Sequence, residues 1–268
     1  MGERFLSMTL DNSSKDFAIV TGAGSGIGRA LAIELSEEPV IVLAVGRREE
    51  PLLETVDLAS GQVKVISADI GRKTGRTKVL GSLIEGSRVK YLVHAAGVCP
   101  IERATDITPE SWQNVMATNV DGRLFLTLRL LPWLQRDSRV LFVGSNSATR
   151  PRKGSTAYCV SKAASFMLHE CLKLELSKDG VYVTSAIPSP VNTPMVADQM
   201  RADAEIYPDG VDYRRLRDDN RLISPAAVAK FYRWLLTEIA GEEYSGKQWN
   251  IQDTSHHRHW LGEDELFG

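Results

Sequence analysis

The chain has 268 residues, of which 43% are hydrophobic and 25% charged, and its formal net charge is −2. This is the composition of a globular protein that can bury a large core, and it favours neither a nucleic-acid surface nor a basic membrane patch. Residues 1–15 lack the apolar core of a signal peptide, and no apolar run reaches the ~20 residues that span a bilayer, so we expect a cytoplasmic protein.

Short apolar runs alternate with helical patterns along the whole chain. The predicted strands are residues 17–21, 40–45, 63–66, 91–94, 140–143, 181–187 and 248–251. Helical patterns occupy residues 26–37, 108–135, 155–178 and 226–238, and a further one contains Pro51 in its first turn. This alternation predicts one α/β domain over residues 1–268, a doubly wound parallel sheet of about seven strands with helices on both faces.

Two segments depart from this alternation. Residues 192–222 show little periodicity, and such a stretch inside a compact domain is usually functional or disordered. Residues 254–268 contain His256, His257 and His259, and we interpret them as a flexible, solvated tail without a metal site. The three cysteines, at positions 99, 159 and 171, have no disulfide or zinc spacing and are expected to be reduced.

A glycine-rich turn, TGAGSGIG over residues 21–28, joins the first strand to the first helix. Gly22 would permit the tight turn, Gly26 would leave room for a phosphate, and Gly28 would let the helix pack on the strand. The free N–H groups of that helix then form a site for a pyrophosphate, which predicts a Rossmann-type dinucleotide fold. The alternative is a plain strand-to-helix turn.

The end of the second strand indicates which dinucleotide binds. An acidic residue there would hold the ribose hydroxyl of NAD, but this chain has Gly46-Arg47-Arg48. Since arginine can grip a 2′-phosphate, we expect NADP(H) to be preferred over NAD(H), unless the two arginines are only a solvated strand end. Asp69, at the end of the third strand, either accepts from the adenine amino group or caps the loop at Gly71.

Tyr158 and Lys162 lie four residues apart on one predicted helix and therefore share a face. An ammonium about 4 Å from a phenol supplies roughly 4 kcal/mol at an effective dielectric near 20, enough to lower a phenol pKa of about 10 by about 3 units. Such a pair can act as a proton donor. Ser145, at the carboxyl end of a strand, is placed to hold a carbonyl oxygen; Ser147 is its rival, and a turn-capping hydroxyl is the alternative for both.

With these motifs the chain resembles the short-chain dehydrogenase/reductase family over nearly its whole length. The resemblance rests on the glycine turn, Ala95-Ala96-Gly97, Asn119, Ser145 and Tyr158-x-x-x-Lys162, and the Ser145–Tyr158 separation favours Ser145 over Ser147. It implies that Tyr158 is the general acid/base, that Lys162 lowers its pKa and holds the nicotinamide ribose, that Ser145 polarises the carbonyl and that Asn119 supports a proton path. The implied cofactor-binding positions are Gly22, Gly24, Ser25, Gly26, Ile27, Gly28, Gly46, Arg47, Arg48, Asp69, Ile70, Ala95, Ala96, Gly97, Tyr158, Lys162, Pro188, Val191 and Thr193.

Two positions depart from the family pattern. Where the family commonly has Asn-Asn-Ala-Gly, this chain has His94-Ala95-Ala96-Gly97, and we expect His94 to be structural. Where the family has Pro-Gly, the chain has Pro188-Ser189, which restricts the backbone. We expect the cofactor to bind nonetheless.

The resemblance makes residues 192–222 a lid over the substrate. Residues 214–225 resemble the sepiapterin reductase and benzil reductase branch, which implies a vicinal dicarbonyl or similar activated ketone. The acidic residue that anchors a pterin in that branch is replaced here by Asn250, with Asp253 offset, so a hydrophobic diketone is favoured.

The sequence thus predicts an NADP(H)-dependent carbonyl reductase with a small-molecule substrate and no nucleic-acid or membrane partner. Two alternatives stay open: an alcohol dehydrogenase acting in the oxidative direction, and a catalytically silent NADP-binding regulatory protein. The family resemblance also implies a homodimer or homotetramer that is formed through the helices at residues 108–135 and 155–178.

Overall fold

In a computed structural model, which describes residues 16–262 and 266–268, seven parallel strands form one sheet in the order β3-β2-β1-β4-β5-β6-β7. Every predicted strand is present, with boundaries that differ by a few residues. The strands are β1 (Asp16–Thr21), β2 (Ile41–Gly46), β3 (Val63–Ser67), β4 (Arg88–His94), β5 (Arg139–Val143), β6 (Tyr182–Ile187) and β7 (Trp249–Asn250).

Helices cover both faces of this sheet, as the continuous apolar strands require. They are α1 (Gly26–Leu35), α2 (Glu50–Asp57), α3 (Lys73–Leu80), α4 (Pro109–Met116), α5 (Gly122–Leu130), α6 (Thr156–Leu176), α7 (Pro194–Arg201), α8 (Asp209–Asp218), α9 (Pro225–Thr237) and α10 (Gly241–Gly246). Alternate residues of β1 point to opposite faces: Ala18 packs in the core that includes α1 and α9, and Phe17 packs in the core that includes α5 and α6. The fold is therefore the expected doubly wound α/β arrangement.

The helix expected over residues 108–135 is interrupted. Thr108 caps α4 by accepting from the backbone N–H of Ser111 at 3.2 Å. A π-helical turn, Ala117–Asp121, then separates α4 from α5, and a 3₁₀ turn containing Pro132 ends the segment. Apolar periodicity does not show such a turn, because the π turn keeps the helix direction and adds only one residue to a turn.

Residues 192–222, which show little periodicity in the sequence, contain α7 and α8. Thr193 caps α7 by accepting from Val196 N at 3.4 Å, and Val196 packs with Met200 and Leu222 in a small separate apolar cluster. The sequence did not predict α8 because this helix is strongly charged and has only a weak apolar stripe.

The segment expected to be a flexible tail is ordered in the parts that the structure describes. Thr254–His259 form a 3₁₀ helix in which His256 is buried, stacked on Phe231 at 5.0 Å between ring centroids. Gly268 N donates to Leu222 O at 3.0 Å, so the last residues lie beside the end of the 192–222 segment. Residues 263–265 lie outside the described ranges. His256 was misinterpreted as solvated because its burial against aromatic rings is a tertiary property.

His256 makes the packing of this segment depend on pH. Its Nδ1 accepts from Trp260 Nε1 at 2.9 Å, which leaves Nε2 to donate to Asn250 O at 3.1 Å, so the ring must be neutral. Burial lowers the pKa of His256. The neutral ring therefore stabilises the fold above the unfolded-state pKa of about 6.5, and this stability is lost as the pH falls through the lower folded-state pKa.

We expect the free energy of unfolding to fall between pH 7 and pH 5 through this group, because the unfolded chain binds the proton more readily than the folded one. Denaturant unfolding at both pH values would measure it in the native chain, in His256→Gln and in His259→Gln, which alters an exposed ring. The pH-dependent loss should shrink in His256→Gln and persist in His259→Gln. Equal losses in all three chains would contradict the assignment.

Candidate active site

A cleft opens at the carboxyl edge of the sheet, beside the point between β1 and β4 where the strand order reverses. Crevices at this position are the usual ligand sites of open α/β sheets. The space between protein atoms in the cleft and its open mouth is about 1620 Å³. Every cofactor position predicted from the sequence lines this cleft, as do Ser145, Tyr158 and Lys162, whereas Asn119 lies buried beneath it.

The glycine turn leaves no room for side chains where it meets its neighbours. Gly22 has a φ of +72°, and a Cβ there would lie 2.8 Å from the backbone of Ala96. A Cβ on Gly28 would lie 2.3 Å from Gly22 O. Ser25, the N-cap of α1, makes no side-chain capping bond, so the first N–H groups of α1 are left for a ligand. The turn therefore fits a pyrophosphate.

Arg29 holds the glycine turn in place, and the sequence motifs did not point to it. Its Nη2 donates to Gly24 O at 2.7 Å and to Pro51 O at 3.0 Å, and it forms an ion pair with Glu54 at 2.6 Å. The turn is thereby tied to the start of α2. Only the packing of α1 against α2 shows this role.

The far end of the cleft carries positive charge. Arg47 and Arg48 are exposed and line its rim after β2. Asp69 faces the same end, but its Oδ1 accepts from Gly71 N at 2.9 Å. The loop-capping alternative for Asp69 is therefore the contact that the structure contains.

Ser145, Tyr158 and Lys162 meet at the other end of the cleft. Lys162 is buried, its Nζ donates to Val143 O at 3.0 Å, and it lies 5.5 Å from the centroid of the Tyr158 ring. The hydroxyl of Ser145 forms a hydrogen bond with Tyr158 and also accepts from Ser147 N at 3.1 Å. The geometry thus brings together the three residues that the sequence proposed.

The two candidate serines have different partners. Ser147 is buried, and its hydroxyl accepts from Arg152 Nε at 3.1 Å. Ser145 is the serine hydrogen-bonded to Tyr158, although its hydroxyl also caps the following turn. The contact with Tyr158 distinguishes Ser145 from its rival.

The electrostatics of Tyr158 differ from the sequence argument. Desolvation in the cleft raises the pKa of Tyr158, opposed by the hydrogen bond with Ser145 and by the charge of Arg123. Lys162 is not among the groups that shift this pKa, and its amino group is directed to Val143 O. Burial and the charge of Arg123 together lower the pKa of Lys162 itself well below its usual value. The expectation that Lys162 alone brings the phenol pKa towards neutrality was therefore wrong.

Asn119 connects the cleft floor to α6 from inside the π-helical turn. Its Nδ2 donates to Val98 O and to Ser161 Oγ, both at 2.9 Å, and its Oδ1 accepts from Val98 N at 2.9 Å. All of its side-chain polar atoms are thus engaged in holding the segment after β4. This arrangement places Asn119 below the cleft and not in its wall.

The other wall of the cleft is lined by Arg152, which no sequence motif identified, and by residues of the 192–222 segment that the family resemblance made a lid. Arg152, from the loop after β5, forms an ion pair with Asp209 at the start of α8, and Tyr207 and Tyr213 line the same wall. Cys99 lies nearby, where burial raises the pKa of its thiol to about 11. The ion pair between Arg152 and Asp209 joins segments far apart in the chain, so no local signal could have found it.

The backbone at Ser189 and the state of the cysteines complete the description of the site and its surroundings. Ser189, which replaces the family glycine, has a φ of 63°, a conformation that is unfavourable for a residue with a side chain. All three cysteines are free thiols. Within residues 16–262 and 266–268 no cluster of metal-ligating side chains is present, and no described helix is long and apolar enough to cross a membrane.

The chain is similar to known proteins both in sequence and in fold. A family model described as short chain dehydrogenase matches residues 16–204. An uncharacterized oxidoreductase of Staphylococcus epidermidis is 32% identical over 204 residues, covering 73% of this chain and 89% of the relative. A short chain dehydrogenase/reductase structure from Saccharomyces cerevisiae has a TM-score of 0.80 at 21% identity and covers 91% of this chain and 99% of that one. A putative NAD(P) dependent gluconate 5-dehydrogenase from Beutenbergia cavernae, with bound NADP, has a TM-score of 0.74 at 27% identity and covers 89% and 96%.

Proposed function

Because the chain belongs to the short-chain dehydrogenase/reductase family, we propose that it is an NADP(H)-dependent carbonyl reductase acting on a small-molecule ketone. The observation that carries the proposal is the placing of Ser145, Tyr158 and Lys162 in a cleft that the glycine turn also lines. A nicotinamide held by that turn would reach the three side chains. The proposed unit is a single catalytic domain with residues 192–222 as its lid.

Each site residue has a distinct proposed task. When bound, the nicotinamide supplies the hydride that reduces the carbonyl carbon. Ser145 donates a hydrogen bond to the carbonyl oxygen, and Tyr158 gives that oxygen its proton as negative charge develops. Lys162 holds the ribose, and Asn119 keeps the segment after β4 in position for proton supply.

The pKa of Tyr158 favours reduction over the oxidative alternative. Desolvation raises this pKa, so the phenol is protonated near neutrality. An alkoxide has a conjugate-acid pKa comparable to the value of about 15.7 for water, so the phenol can still protonate it. Alcohol oxidation would instead need the phenolate as a base, which the same desolvation disfavours. The protonated phenol therefore supports the proposed role of Tyr158 as the acid in reduction.

Arg47 and Arg48 support NADP(H) as the cofactor, since they lie exposed at the rim where a 2′-phosphate would sit. Replacing both by Ala should raise the KM for NADPH by about 10–100-fold, the equivalent of roughly 1.5–3 kcal/mol of charge-assisted hydrogen bonding. The KM for NADH should change little. Arg217→Ala, which alters an exposed arginine on α8, is the matched control. A native chain that prefers NADH would remove the cofactor proposal.

The substrate wall supports a neutral, partly aromatic ketone. Tyr207 and Tyr213 line it, and the positive charge of Arg152 is balanced by Asp209. Asn250 and Asp253 do not line the cleft, which disfavours the pterin anchor of the sepiapterin reductase branch. We therefore favour hydrophobic vicinal diketones.

A substrate panel with NADPH tests this function. Benzil-like diketones should be reduced faster than sepiapterin, with NADPH oxidation followed at 340 nm. Activity confined to sepiapterin would overturn the substrate proposal, and faster alcohol oxidation at neutral pH would favour the dehydrogenase alternative. Tight NADPH binding without turnover across the panel would favour the silent regulatory protein.

Exposed apolar side chains support a homodimer or homotetramer. They include Phe125 and Leu128 on α5 and Val160, Met167 and Leu174 on α6, the last 74% exposed. Packing them against another copy would remove their apolar surface from water. We propose that these two helices pack against another copy of the chain in the cytoplasm.

A further inference from the structure

Arg123, near the start of α5, is buried directly beneath the candidate active site, and its side chain is only 1% exposed. Its Nη2 donates to Ala96 O and its Nη1 to Ser165 Oγ, both at 3.0 Å. Nη1 also lies 3.4 Å from Val143 O. The guanidinium therefore joins the segment after β4, the end of β5 and the middle of α6.

No carboxylate balances this charge among the residues that the structure describes. The ion pairs in residues 16–262 and 266–268 do not include Arg123, and its Nε has no hydrogen-bond partner. Burying an unpaired cation is strongly unfavourable. Arg139 also donates to two backbone carbonyls, at the opposite end of β5, but it is only partly buried. Because burying this charge is unfavourable, packing by itself does not explain an arginine at position 123.

A shared acceptor links Arg123 to the site. Val143 O receives Lys162 Nζ at 3.0 Å and Arg123 Nη1 at the longer distance of 3.4 Å. Two basic groups therefore face one carbonyl, and they repel each other whenever Lys162 is protonated. If Lys162 turns towards the cofactor, Arg123 can take its place on Val143 O, so that this carbonyl keeps a donor.

We propose that Arg123 is a positioning residue: its fixed positive charge beneath the cleft drives Lys162 from Val143 towards the ribose side and favours negative charge on Tyr158 oxygen. The part concerning turnover rests on the proposed function, whereas the effect on Lys162 does not. The charge of Arg123 lowers the pKa of Lys162, after burial, and opposes the raised pKa of Tyr158. These directions agree with the geometry.

Other titratable groups face this cluster from every neighbouring element. Burial keeps His94 on β4 neutral, and Tyr232 on α9 donates its hydroxyl to Ala186 O. The groups that interact with Arg123, Lys162 or Tyr158 are His94, Cys99, Tyr213 and Tyr232. Each is neutral at pH 7 by its type or its shift, so Arg123 is the lasting charge next to the Tyr158–Lys162 pair.

The test measures Lys162 directly, without turnover. Lysine labelled with ¹³C at the ε position would be titrated by NMR between pH 6 and 11, with the Lys162 signal assigned through Lys162→Met. In the native chain Lys162 should titrate clearly below the usual value of about 10.4. Arg123→Gln, which keeps a donor but loses the charge, should raise that pKa by about one unit.

Two controls separate charge from packing. Ser165→Ala removes a partner of Arg123 but keeps its charge, and Arg139→Gln removes a comparable arginine at the other edge of the sheet. Both should leave the pKa of Lys162 unchanged. An unshifted Lys162 in folded Arg123→Gln would falsify the proposal. If Arg123→Gln does not fold, the native chain still provides a test: a Lys162 pKa near the usual value would overturn the proposal.

A turnover measurement extends the test to Tyr158. With NADPH and benzil as the probe, the alkaline limb of the pH–rate profile should move upward by about one unit in Arg123→Gln, with the KM for NADPH changed less than kcat. If Arg123→Gln shifts the pKa of Lys162 but leaves the alkaline limb of the pH–rate profile in place, the role of Arg123 is limited to Lys162. That result would overturn the part of the proposal that concerns Tyr158. Absence of turnover in the native chain would count against the proposed function, while the NMR result still decides for Lys162.

Discussion

Tyr158→Phe is expected to lower kcat for carbonyl reduction by about 10³-fold while leaving the Kd for NADPH within a few-fold. A positioned general acid contributes roughly 10²–10⁴-fold, and here Tyr158 lies at the cleft floor within hydrogen-bond reach of Ser145. Phenylalanine keeps the ring that packs in the cleft wall but cannot donate a proton. Single-turnover absorbance at 340 nm and fluorescence titration with NADPH measure the two quantities separately.

Tyr244→Phe is the matched control. Tyr244 is fully buried, its hydroxyl has no hydrogen-bond partner within the described chain, and Tyr244 does not line the cleft. Tyr244→Phe should leave turnover unchanged. It can raise the melting temperature, because it removes a buried hydroxyl that has no hydrogen-bond partner. Near-normal turnover in Tyr158→Phe would exclude Tyr158 as the proton donor, whatever the cofactor.

Gly28→Ala is expected to weaken NADPH binding by at least about 30-fold, the equivalent of roughly 2 kcal/mol. The added Cβ would stand 2.3 Å from Gly22 O, a backbone atom of the same turn that cannot rotate away. Either the turn opens or α1 shifts, and both misplace the N–H groups that hold the pyrophosphate. The free energy of unfolding should also fall by about 1–3 kcal/mol, as overpacking usually causes.

Gly246→Ala isolates this steric effect. Gly246 ends α10, and a Cβ there would meet no atom within 4 Å. This variant should bind NADPH and unfold like the native chain, as judged by fluorescence titration and denaturant unfolding. If Gly28→Ala bound NADPH as tightly as Gly246→Ala, the glycine turn would not be the phosphate site.

Local patterns predicted the parts of the site that are encoded by neighbouring residues. The Tyr158–Lys162 pair follows from helical spacing, and the glycine turn follows from the strand before it and the helix after it. The charged helix α8 and the tail around His256 were missed because their apolar contacts are few or made with distant residues. Periodicity reports a buried face only where an element buries a continuous stripe.

The sequence by itself determined the strand pattern, the glycine turn and the family, since these depend on short-range spacing and on apolar runs buried on both sheet faces. Only the tertiary structure decided the surroundings of Tyr158, the proposed proton donor. The pKa of Tyr158 is set by desolvation, by Ser145 and by Arg123, which arrive from different elements. The ion pair of Arg152 with Asp209 is likewise a long-range contact. Solvent exclusion and charge depend on distances in space, and spacing along the chain does not contain them.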